Sequence, residues 1–282
     1  MLRTLVVNAD DLGLTVGVND GIFAAHDRGI LTSASLMASV PAAANAIRRA
    51  RNRPSLGIGV HLTLVDGAPM LLPDRVPTLV QDDGRFRPSW RPFIVACLMG
   101  RVSMRDVERE LTAQIEYVMS HDIKPTHLDS HKHVHLFPPV FDVVVRLADR
   151  FRIPVVRVPY ERTTADFPLL LWACQDYRLA ASLGISTPKF VGRAMTGVMT
   201  AASLAEALRR LRAGHTELMV HPGYIDDALR QLSTRLLASR ETEIALLTSP
   251  AIGQVVADEN VSLVCHDRRI GLLSPRSYRN AS

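Results

Sequence analysis

A mostly parallel α/β sheet rolled into a distorted or incomplete (β/α) barrel is the architecture this sequence predicts. Three observations carry it. Short apolar runs of strand character alternate with segments of helical periodicity about seven times, and such alternation builds parallel sheets. The 282 residues suit one domain of this class, because α/β barrels routinely reach that length. Ionisable residues also recur where the strand-like runs end, which is where barrels collect their catalytic groups.

The elements follow in order. LRTLVVNA is short, β-branched and continuously apolar, as a strand buried on both faces should be. From Thr15 to Arg28 the apolar spacing turns helical, and Gly29 supplies a stop. SASLMAS reads as a strand, PAAANAIRRARNR as a helix opening on proline, and LGIGVHLTLV as the third strand. Residues 65–92 are rich in Pro, Gly and Asp. They are too long for a simple connection, so a lid or binding loop is expected there. MRDVERELTAQIEYVMS is an amphipathic helix, KPTHLDSH begins the fourth strand and its turn, and PPVFDVVVRLADRF is the next helix. VVRVP is the fifth strand candidate. Residues 160–200 are irregular and partly apolar, and are expected to form an inserted cap. SLAEALRRLRAG is a helix with a glycine stop and TELMVHPG a strand running into a turn; helical segments near 239–259 lead to a last strand, VSLVC. One domain over residues 1–282 is expected.

Composition excludes several classes. At 47% hydrophobic and 22% charged residues the chain matches an ordinary globular protein. Cys97, Cys174 and Cys265 lie far apart with no CxxC, which argues against a disulfide framework or thiolate zinc and fits a reducing cytoplasm. The N-terminus has no signal-peptide pattern, and PLLLWAC at 168–174 is far too short to span a bilayer. The net charge of +5 comes mostly from arginines scattered among acids on helices. No nucleic-acid module is recognisable, so no nucleic-acid partner is expected. Attraction to an anionic lipid surface stays open, at the cap in particular. A homodimer is the default for a soluble enzyme.

The chemistry collects at four strand ends. Asp10 and Asp11 end the first, His61 lies near the end of the third, a histidine cluster follows the fourth, and His221 ends TELMV before Pro222. Each alone has an ordinary explanation: turn acids, a core histidine, a His-Pro loop. Together, at matching positions over one barrel mouth, they argue for a single site. Imidazole and carboxylate without thiolate suit zinc, iron, nickel or cobalt and, less well, magnesium. Two histidines and one carboxylate leave positions open for water and substrate. Adjacent aspartates on a strand point to opposite faces, so a kink must redirect one if both act. One can then bind metal while the other takes a proton from water, with His221, arriving from another strand, as the acid.

The motifs NADDLG, GVHLTL, THLDSHKHVHLFP and MVHPGYID, in this order and spacing, resemble those of the YdjC-like (ChbG-type) carbohydrate deacetylases, relatives of the NodB-type polysaccharide deacetylases with a distorted (β/α) barrel. GILTSASLMASVPAAANAIRRAR and SPAIGQVV are similar too. LTSASLMA, PYE at 159–161 and the loop from VDGAP to GRF also resemble the hopanoid biosynthesis-associated (HpnK) subgroup. The resemblance implies hydrolysis of an N-acetyl group from an amino sugar, an oligosaccharide or a glycolipid such as an N-acetylglucosaminyl hopanoid, with one divalent metal ion, zinc or magnesium. It implies Asp11, His61 and His131 as metal ligands, Asp10 as general base and His221 as general acid. Asp129, His133, His135 and Pro222 are expected as supporting or substrate-contacting residues; His131, His133 and His135 share one strand face if the segment stays extended. Two positions depart from the pattern: Lys132 stands where some members carry histidine, and Leu12 replaces a common phenylalanine. A phosphoesterase on a similar barrel site, or a silent sugar- or lipid-binding protein, are the competing readings. A cytoplasmic location, peripheral to the inner membrane if the substrate is a lipid, completes the expectation.

Overall fold

The computed structural model describes residues 2–161 and 167–266. The parts of the expected domain and cap at 267–282 and 162–166 lie outside the described residues. The strands are β1 (Arg3–Leu12), β2 (Ser33–Leu36), β3 (Gly57–Leu62), β4 (Leu128–Ser130), β5 (Lys189–Val191), β6 (Gly214–Val220) and β7 (Val261–Leu263). They form one sheet in the order β4-β3-β2-β1-β6-β5, with β7 also on β1. Every named strand pair is parallel.

The helices are α1 (Val16–Arg28), α2 (Ala43–Ala50), α3 (Trp90–Leu98), α4 (Met104–Met119), α5 (Pro138–Arg150), α6 (Phe167–Ser182), α7 (Ala201–Arg209), α8 (Asp227–Arg230), α9 (Ala238–Leu247) and α10 (Pro250–Asp258). Thr15 caps α1 by accepting from the Val18 amide at 3.2 Å, and the helix gives way at Gly29, where the sequence placed its stop. Because helices cover the sheet, β1 is buried almost throughout, with Leu5, Val6, Val7, Ala9 and Leu12 fully enclosed. Burying each of the larger side chains is worth about 1.5–3 kcal/mol.

The sheet curls into a distorted, incomplete barrel. Its wall is weakest between β4 and β5, where only single bridges, Leu128 to Val156 and Val155 to Ser186, carry the pairing across. The expected fifth strand, VVRVP, is therefore reduced to bridges. Pro154 and Pro159 bracket it, and proline cannot donate to a ladder. A second difference concerns the cap over 160–200: Lys189–Val191 inside it is a sheet strand paired with β6. A third is α3, a helix at the end of a stretch rich in turn residues. Its proline, Pro92, falls in the first turn, where the missing N–H costs nothing.

Candidate active site

The strand ends converge as the alternation requires. A cleft of about 710 Å³ at the C-terminal mouth is lined by Asp10, Asp11, His61, His131, His133 and His221, among others. The two aspartates reach it by a kink. The β1–β2 register shifts between Ala9 and Leu12, and Asp11 takes a left-handed φ of 67°. That bulge turns two neighbouring carboxylates, which a regular strand would send to opposite faces, into one cleft.

Asp11, His61 and His131 bring their ligand-type atoms within 4.8 Å of one another. His61 Nε2 lies 3.7 Å and His131 Nδ1 3.3 Å from Asp11 Oδ1. Arg240 from α9 donates to Asp11 Oδ2 at 2.6 Å, which leaves Oδ1 facing the imidazoles. Behind His61, Nδ1 donates to Asp129 Oδ1 at 2.9 Å, the carboxylate support that fixes a ligating imidazole with Nε2 forward. Two nitrogens and one oxygen, oriented from behind, fit a divalent transition ion. A second trio, Asp10, His61 and Asp129, is equally close. It suits a metal less well, because the Arg157 guanidinium already joins Asp10 and Asp129, at 2.6 and 2.8 Å.

Arg157 is the hub on the other side. Buried among three carboxylates, it donates to both oxygens of Asp10 at 2.6 and 2.7 Å, to Asp129 Oδ2 at 2.8 Å and to Glu217 Oε1 at 2.6 and 2.7 Å. Asn8 adds a 3.1 Å bond to Asp10 Oδ1. Ser35 ties the two halves together: it accepts from Asn8 at 2.8 Å, donates to Asp129 Oδ2 at 2.8 Å and sits 2.9 Å from His127 Nε2. His221 Nε2 faces Asp10 Oδ2 at 3.9 Å, and its backbone N–H donates to Glu243.

The charges sort accordingly. Burial opposes a protonated His61, but Asp129, by charge and hydrogen bond, with Asp10 and Asp11, lifts it to about 9. Burial also works against His131, and hydrogen bonds to Asp11 and Asp66 hold it above its ordinary value. Asp11, despite burial, is kept well below the carboxylate range, chiefly by Arg240. Burial pushes His221 down to about 4, so it rests as neutral imidazole at pH 7.

The histidine-rich segment departs from an extended row. His131–Leu136 is a tight helical turn in which Lys132 and His133 have left-handed φ of 54° and 53°. The turn breaks the shared face: His131 points at Asp11, His133 lines the cleft, and His135 is buried away from it, with Nε2 2.8 Å from the Arg157 carbonyl and Nδ1 against Ser130. His135 and Pro222 do not line the cleft, and Asp129 acts through His61 and Arg157.

Sequence reasoning passed over Arg157, Glu217, Arg240, Asp66, Ser35 and Asn8. Two of them left a signal: an arginine inside VVRVP and a glutamate inside TELMV are charges in buried runs, which need partners. Asp66, on the 65–92 loop, pairs with Lys132 and lies 3.7 Å from His131 Nε2; nothing local marked it out.

A family model described as YdjC-like protein matches residues 4–258. A carbohydrate deacetylase of Geobacillus stearothermophilus is 38% identical over 267 residues, covering 94% of this chain and 98% of that one. One from Brevibacillus brevis is 34% identical over 261 residues, covering 92% and 97%. Among solved structures, an Enterococcus faecalis protein provisionally named for cellobiose-phosphate cleavage superposes with a TM-score of 0.81 at 27% identity, covering 94% and 98%. The fold, the motif order and these full-length matches agree, and the chain belongs to the YdjC-like protein family.

Proposed function

We propose that the protein is a metal-dependent carbohydrate N-deacetylase, hydrolysing the acetamide of an N-acetylated amino sugar to a free amine and acetate. One observation carries the reading: Asp10 and His221 face each other at 3.9 Å in the cleft that also holds the Asp11–His61–His131 donor set. The full-length relatives named carbohydrate deacetylases support it.

A divalent cation held by Asp11, His61 and His131 would polarise the acetamide carbonyl and acidify a water. The chain's own groups do the rest. Asp10, held in place by Arg157 and Asn8, takes a proton from the attacking water. The water oxygen bonds to the acetyl carbon, and Asp10 passes the proton it took to the neutral His221 across the 3.9 Å gap. The C–N bond breaks as the imidazolium so formed gives that proton to the nitrogen, so neither residue is consumed. Two imidazole donors favour zinc or another transition ion over magnesium. A phosphoesterase using two or three cations is less well supported, because Arg157 fills the second donor group.

The substrate is a chitooligosaccharide or an N-acetylglucosaminyl lipid such as a hopanoid. Leu14, Met37, Met219, Leu232 and Leu236 give the cleft an aliphatic side suited to the second. The 65–92 loop as a lid, the 160–200 segment as a cap contributing Arg193 and Thr196 to the cleft, and a cytoplasmic homodimer belong to the same proposal. No described helix is long and apolar enough to cross a membrane. Acetate release by the zinc-loaded protein, measured by mass spectrometry on chitobiose and on an N-acetylglucosaminyl lipid, tests it. Release from either supports deacetylation; a lipid rate no higher than chitobiose sinks the glycolipid assignment.

A further inference from the structure

The outer face of α3 has no partner among the described residues. Phe93, Ile94 and Ala96 bury the inner face, while Val95, Leu98 and Met99 are 53%, 72% and 57% exposed. Arg91 precedes them at a spacing of one turn and is also exposed. The surrounding sequence is strongly one-signed. Between Asp83 and Asp106 there is no acidic residue, and Arg85, Arg87, Arg91, Arg101 and Arg105 fall in this stretch; all but Arg87 are exposed. Trp90, half-buried, lies under the Arg91 guanidinium, 5.3 Å from ring to charge. The result is an apolar stripe on a helix, with exposed Arg91 before it and exposed Arg101 after it in the chain, and an aromatic at its start. α3 also packs on the His131–Leu136 turn, so the helix that carries the stripe adjoins the turn that carries His131.

We infer that this face is a docking surface for an anionic phospholipid membrane. Apolar side chains on a helix enter the headgroup boundary while arginines meet lipid phosphates, the arrangement of interfacial helices. A second copy of this chain fits poorly. A two-fold interface sets a patch against itself, which here would oppose arginine to arginine. The proposal is independent of the deacetylase reading, since it rests on no residue of the cleft.

The test is co-sedimentation of the full chain with vesicles of phosphatidylcholine alone and of phosphatidylcholine mixed equally with phosphatidylglycerol. Binding is expected to the anionic vesicles, weakening with added salt. Arg91→Glu should weaken it by at least about fivefold, and Leu98→Glu with Met99→Glu by more than tenfold, with thermal unfolding unchanged because both sites are exposed. Equal binding to neutral vesicles, or undiminished binding by the double variant, overturns the proposal. So does sedimentation velocity showing that the double variant splits a dimer while the parent ignores both vesicles.

Discussion

Replacing Asp129 by asparagine isolates the group behind the proposed metal site. The carboxylate accepts from His61 Nδ1 at 2.9 Å through one oxygen, and from Ser35 and Arg157, both at 2.8 Å, through the other. Asparagine keeps the shape but turns one acceptor into a donor. If the amide nitrogen faces Ser35 and Arg157, the Arg157 bond is lost, donor against donor, and the Ser35 hydroxyl must turn to accept. If it faces His61, the ring must take its proton on Nε2, the atom that should ligate. In either orientation the charge that lifts His61 to about 9 is gone. Loss of such support costs about 10–100-fold in metal affinity, or about 1.4–2.7 kcal/mol. Zinc titration against a competing chelator reads this directly, with circular dichroism reporting the fold. An affinity within threefold of the parent would refute the assignment of Asp129 as the support of His61.

Other outcomes follow from the same geometry. Because His61 is held protonated up to about pH 9, a metal must displace its Nε2 proton, so affinity should climb with pH and level off near that value; calorimetry in buffers of different ionisation enthalpy counts the proton, and a flat profile would remove His61 from the ligands. The sign for stability is opposite. A folded pKa raised above the unfolded value near 6.5 stabilises the metal-free protein below that pH, and the contribution disappears as pH rises through about 9; urea midpoints across this window check it, and a His61 contribution that grows with pH would contradict it. Gly59→Ala places a Cβ 2.4 Å from the His127 ring and should destabilise by at least about 1–3 kcal/mol, the range for overpacking; an unchanged urea midpoint would show that His127 can move aside.

The sequence carried the fold where periodicity was clean. The β1 and β3 runs are largely apolar, and α1 ends at the glycine the sequence offers as a stop. It failed where the competing force was not local. VVRVP has strand composition, yet its flanking prolines leave only bridges, and KFV looked irregular but is held in the sheet by β6. The cleft residues were legible as types at strand ends. Their division of labour was not, because it depends on distant charges: Arg157 and Arg240 each hold one member of the adjacent pair Asp10 and Asp11. The row of His131, His133 and His135 dissolves because two residues there adopt left-handed backbone, which alternation cannot foresee.

The central claim is that Asp10 works on the water while Asp11, His61 and His131 hold the cation. Its most direct test is a paired measurement on Asp10→Asn: metal content per chain and acetate released from an N-acetylated amino sugar. The account predicts one divalent ion bound per chain, as in the parent, and turnover at least about a hundredfold slower. Parent-like acetate release from Asp10→Asn, or loss of the ion with the carboxylate, would contradict it.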